Sequence, residues 1–73
     1  MMINGWIALQ SLVDLGFEVR VSFQSEAKLH LVDVYEVSGE LGGDKKVILH
    51  AWEKGIDEAL ISAYNATKRY LQQ

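Results

Sequence analysis

The stretch Phe17–Val37, FEVRVSFQSEAKLHLVDVYEV, decides the fold. Phe17, Val19, Val21 and Phe23 alternate with Glu18, Arg20, Ser22 and Gln24, the period of a strand with one buried face. Ser25, Glu26, Ala27 and Lys28 are small or polar and suit a hairpin loop, and Leu29–Val37 reads as a second strand. If Gln24 faces Leu29 across that loop, Arg20 falls opposite Asp33, Val21 opposite Val32 and Val19 opposite Val34. A slip of one residue would set Asp33 against a core valine, so the side chains specify the register.

Outward from this hairpin, Ser38, Gly39, Glu40, Leu41, Gly42, Gly43 and Asp44 are rich in turn formers and are expected to be the longest and most mobile loop. A third strand follows from Lys45 to Trp52. Turning Val47, Leu49 and Ala51 inward places Leu49 near Val34, and leaves Lys46, Ile48, His50 and Trp52 outside with Trp52 near Leu31. Both sets are partly apolar, so the reverse orientation also fits the pattern.

Helical spacing frames the sheet. From about Gly5 to Leu15, Trp6, Leu9, Leu12 and Val13 recur on one side, with Gln10, Ser11 and Asp14 on the other. Asn4 suits the N-cap and Gly16 a left-handed residue past the C-terminus. Ile7 falls on the polar side as an isolated apolar residue. A last helix runs from about Ile56 to Leu71, with acids in its first turn (Asp57, Glu58), bases in its last (Lys68, Arg69), and a narrow strip of Ala59, Ala63 and Ala66 that suits close approach of the first helix. The expected fold is α+β in the order α-β-β-β-α, a single domain over residues 1–73, with a three-stranded antiparallel sheet and both helices on one face. The core is expected to comprise Trp6, Leu9, Val13, Val19, Val21, Val32, Val34, Leu49, Leu60 and Ala63.

Composition narrows the function classes. At 73 residues there is room for one small core. The absence of cysteine removes disulfides and thiolate metal sites. A hydrophobic share of 49 % with 23 % charged residues of both signs suits a folded globule rather than a disordered chain. The uncharged run Met1–Val13 is too short to span a bilayer and lacks the basic start of a secretory signal, so a cytoplasmic protein without membrane association is expected. A formal charge of −3 disfavours a broad nucleic-acid footprint, which draws its affinity from clustered Lys and Arg.

The element order resembles that of double-stranded RNA-binding domains. Those domains carry a basic cluster at the start of the last helix, whereas the matching positions here read Gly55, Ile56, Asp57, Glu58, Ala59, so RNA binding does not carry over. The chain is also similar to short accessory proteins of phages and mobile elements, including anti-CRISPR inhibitors built as a helix, a three-stranded sheet and a terminal helix. The shared features are the abrupt start Met1, Met2, Ile3, Asn4 and the passage Leu49–Leu60 from an apolar strand through a glycine into an acidic, alanine-containing helix start. HicB-type antitoxins share that passage with a different strand order. The resemblance implies a non-enzymatic protein that acts by covering a surface on a larger partner.

Sites for chemistry are sparse. No nucleophile stands near a histidine, and His30 and His50 fall on opposite faces, so they cannot share a metal ion. Gly39, Gly42 and Gly43 lack the strand-to-helix context of a phosphate loop. One constellation survives: Arg20, Asp33 and His50 lie in a row on the outer face, flanked by Leu29, Leu31, Tyr35, Ile48 and Trp52. The row reads simply as a cross-strand ion pair beside a histidine, but the apolar surround has the composition of an interface. The expectation is a protein partner or a homodimer bound through this open face, without catalytic residues, cofactor or metal. Two alternatives are a nucleic-acid-binding module that stacks bases on Tyr35 and Trp52 with Arg20, Lys45 and Lys46 on phosphates, and a small enzyme using Asp33 and His50 as acid and base.

Overall fold

The computed structural model describes residues 4–39 and 43–73. Its elements are α1 (Gly5–Asp14), β1 (Glu18–Gln24), β2 (Leu29–Ser38), β3 (Asp44–Glu53) and α2 (Ile56–Leu71), with the strands in the order β1-β2-β3 and both pairings antiparallel. The fold is therefore α+β in the order read from the sequence. Residues 1–3 and 40–42, which hold the abrupt start and the middle of the turn-rich loop, lie outside the described residues.

Local chemistry sets the boundaries. The Asn4 side chain accepts the Ile7 amide at 2.9 Å and caps α1, and Gly16, at φ +93°, takes the left-handed turn into β1. Lys28 closes the β1–β2 loop at φ +54°. The hairpin holds the expected register, with Gln24 opposite Leu29, Val21 opposite Val32, Arg20 opposite Asp33 and Val19 opposite Val34. Between β2 and β3 the pairs Leu31–Trp52, Val32–Ala51, Asp33–His50 and Val34–Leu49 likewise turn Leu49 and Ala51 inward.

A β-bulge interrupts β3 at the next step, where Tyr35 opposes Val47 and Ile48 is the extra residue. This corrects the alternation expected for β3. Ile48 is half-buried against the core instead of standing on the outer face, and Val47, expected inside, sits opposite the outward Tyr35 and is 40 % exposed.

The core is Ala8, Leu12, Val32, Val34, Ala51, Ala59, Leu60 and Ala63, with Leu9, Phe17, Val19, Ile48, Leu49, Ile61 and Tyr64 packed around it. Three expected core residues are outside it: Trp6 is 70 % exposed, Val13 51 % and Val21 39 %. Val21 lies on the edge strand β1, while for Trp6 and Val13 the reason is the phase of α1, whose buried line is Gly5, Ala8 and Leu12. These residues let α1 approach α2 so closely that a Cβ on Gly5 would stand 2.9 Å from the Asp57 Cα. The helix turns its small side toward α2, and the larger Trp6 and Val13 are rotated out. Among the strands α1 contacts β1 alone, while α2 lies over β2 and β3.

Candidate functional site

The register arranges the outer face in cross-strand rows. Ser22, Leu31 and Trp52 form one row, Arg20, Asp33 and His50 the next, and Glu18, Tyr35 and Val47 a third, with Gln24–Leu29 and Val37–Lys45 at the two ends. Antiparallel neighbours in a row share a face, which brings Arg20, Leu29, Leu31, Asp33, Tyr35, His50 and Trp52 together as expected. Ile48 is the exception, displaced by the bulge, and Val47 stands in its place. No described element covers this side, because both helices pack on the opposite one.

Asp33, in the middle row of the central strand, is only 7 % exposed although no helix lies over it. Its carboxylate accepts a hydrogen bond from His50 Nδ1; a carboxylate can only accept, so Nδ1 carries the proton in this pair. Arg20 is opposite Asp33 in register, yet the hydrogen-bond partner of Asp33 is His50. A second bridge crosses the central strand, from Lys45 Nζ to Glu18 Oε2 at 2.8 Å. The hydrogen bond from the Lys45 ammonium to Glu18, and then the carboxylate's charge, hold its pKa above the usual lysine range. The sequence reading missed this bridge. The alternation alone could not show it, because it sets Lys45 on the inner side with Val47; the bulge at Ile48 brings Lys45 round to the face of Glu18.

Two consequences follow for chemistry. Of the three cations named for phosphates, Lys45 is engaged by a carboxylate on the same face and Lys46, paired in register with the inward Glu36, falls on the opposite face, which leaves Arg20. His50 and Asp33 lie on an open surface. A groove of about 410 Å³ is lined by Phe23, Gln24, Ser25, Glu26, Ala27 and Trp52, and includes neither member of the pair. Among the described residues no group of three or more His, Asp or Glu converges as a metal site, and no helix is long and apolar enough to cross a membrane.

What remains on the face is apolar. Leu29, Leu31, Tyr35 and Val37 are half-buried along β2, beside Trp52 at 52 % and Val47 at 40 % exposure on β3. Comparison with protein-family models, with curated proteins and with solved structures finds no match for the chain.

Proposed function

We propose that this is a non-enzymatic interaction protein whose outer sheet face covers a surface on a protein partner. The observation that carries the reading is the uncovered run of Leu29, Leu31, Tyr35 and Val37 flanked by Trp52 and Val47, an apolar strip with aromatic anchors and self-neutralised charge at its margins. Glu18 engages Lys45, and Asp33 sets an acid between Leu31 and Tyr35 at the centre of the face, which opposes a phosphate backbone. The layout shared with small phage and mobile-element accessory proteins favours a role as an inhibitor or accessory factor that acts by occlusion.

Photo-crosslinking from position 52, in the cells that make the protein, tests this. One dominant protein adduct that disappears in Leu31→Glu, with native far-UV circular dichroism retained, is the expected result. An adduct with a second copy of the chain would make the partner a homodimer through the same face. Adducts that survive Leu31→Glu, or that nuclease removes, would overturn the proposal; nuclease sensitivity would favour the nucleic-acid reading.

A further inference from the structure

The two edges of the sheet are built differently. The free edge of β3 carries a bulge at Ile48 and the charged run Asp44, Lys45, Lys46, devices that blunt an edge against further pairing. By contrast, β1 has no irregularity in its seven-residue register, pairs only with β2, and leaves its other side without a described strand. Its inward residues also remain wet near the hairpin, with Val21 39 % and Phe23 55 % exposed.

Above this edge stands α1. Rotating away from the buried line Gly5, Ala8 and Leu12, the helix shows Leu9, half-buried on the core, and then Val13 and Trp6, at 51 % and 70 % exposure. Since α1 meets β1 alone among the strands and turns its small side toward α2, we infer that these two side chains overhang the free edge of β1. The result is a recess whose inner wall carries backbone groups unpaired among the described residues, with apolar side chains along that wall and overhead.

We propose that this recess takes an extended peptide strand from a partner protein, one in which every second side chain is apolar. Only an extended backbone satisfies the free N–H and C=O groups of β1, and only period-two apolar side chains meet Val21, Phe23, Trp6 and Val13 from one side of that strand. Its other side chains emerge beside Glu18 and Arg20 and are polar. A second copy of this chain does not fit. Neighbouring strands lie about 4.8 Å apart, whereas packed helices need roughly 8 to 10 Å between axes. Joining β1 to β1 would therefore drive the two overhanging α1 helices into each other. Apart from Phe23, which shares the hairpin-end groove with Trp52, this surface is separate from the outer face, and the proposal does not rest on the function argued above.

Selection from a phage-displayed library of random twelve-residue peptides against the full chain is the test. Enriched sequences should carry apolar residues at alternate positions. A synthetic peptide of the enriched sequence should slow amide exchange on β1, bind at least tenfold more weakly to Phe23→Lys, and bind Leu31→Glu within twofold of wild type. Trp6→Ala, changing a side chain that is mostly in water, provides the same comparison should Phe23→Lys fail to fold. No enrichment, enrichment of helical three-and-four spacing, or binding lost in Leu31→Glu but kept in Phe23→Lys and Trp6→Ala would overturn the proposal.

Discussion

The amide of Gly5 donates to Asp57 Oδ1 at 3.1 Å, tying the first turn of α1 to the first turn of α2 across 52 residues of chain. One of the orphan amides of α1 is thereby satisfied by a side chain of the other helix. A Cβ at position 5 would press on the Asp57 backbone, which cannot yield as a flexible side chain can. Alanine ordinarily stabilises a helix over glycine by roughly 1 kcal/mol. Here Gly5→Ala is expected to destabilise instead, by about 1 to 3 kcal/mol as over-packing does. Urea denaturation decides the sign, and a gain in stability would mean that the helices are less closely apposed.

The phase of α1 makes a second expectation, on the energetics of packing. Leu12 is fully buried and Leu60 is 6 % exposed, whereas Trp6 is 70 % exposed. Leu12→Ala and Leu60→Ala should each cost roughly 2 to 5 kcal/mol through lost burial and the cavity left behind. Trp6→Ala, despite removing a far larger side chain, should stay within about 0.5 kcal/mol as surface changes do. A large loss at Trp6 with a small one at Leu12 would restore the phase expected from hydrophobicity alone.

That reversal shows where the sequence was legible and where it was not. The hairpin register could be read because Phe17–Gln24 alternates cleanly, the loop holds four polar or small residues, and Asp33 is tolerated on only one face. In α1 the deciding residues are Gly5 and Ala8, whose lack of bulk permits the contact with Asp57; a reading weighted by hydrophobicity favours Trp6 and Val13. In β3 the run Val47, Ile48, Leu49 is apolar on both parities, so nothing in the pattern marks Ile48 as the bulged residue. Asp33 falls in the outer row as read, but the reading paired it with Arg20, which stands opposite in register, and register alone could not show that His50 takes the carboxylate instead.

The choice of His50 has an energetic consequence. His50→Ala removes the hydrogen bond to a carboxylate that is 7 % exposed. Leaving such a group without its partner costs about 1 to 3 kcal/mol. Thermal unfolding at neutral pH should show a loss of that order. An unchanged melting temperature would mean that Arg20 swings across to replace the histidine.

At the far end of the inner face, Tyr70 Oη donates to Glu36 Oε2 at 2.9 Å, joining the last turn of α2 to β2. This hydrogen bond and the nearby carboxylate charge raise the pKa of the phenol above its ordinary value, since ionisation would break the bond and set two anions together. The stabilisation is present below the unfolded-state pKa of about 10 and is lost as pH rises through the higher folded-state value. Ultraviolet titration of Glu36→Gln should therefore show one tyrosine ionising at lower pH than in wild type. Identical titration curves would place Tyr70 free of Glu36 in solution.

The two tryptophans fall on different surfaces, and each can report on one of them. Trp52 stands in the outer row beside Leu31 at 52 % exposure, and Trp6 stands on the flank of α1 above the β1 edge at 70 %. Both should emit as solvent-exposed indoles in the unbound monomer. In Trp52→Phe, where Trp6 is the only indole, emission should shift to the blue when an extended peptide enters the β1 recess and remain unchanged when a partner docks on the outer face. Trp6→Phe, which keeps only Trp52, should respond in the opposite way, because the outer rows point away from the helix layer. A partner that shifts Trp52 but never Trp6 would confine recognition to the sheet face, and a peptide that shifts Trp52 alone would move the strand-binding site away from the β1 edge.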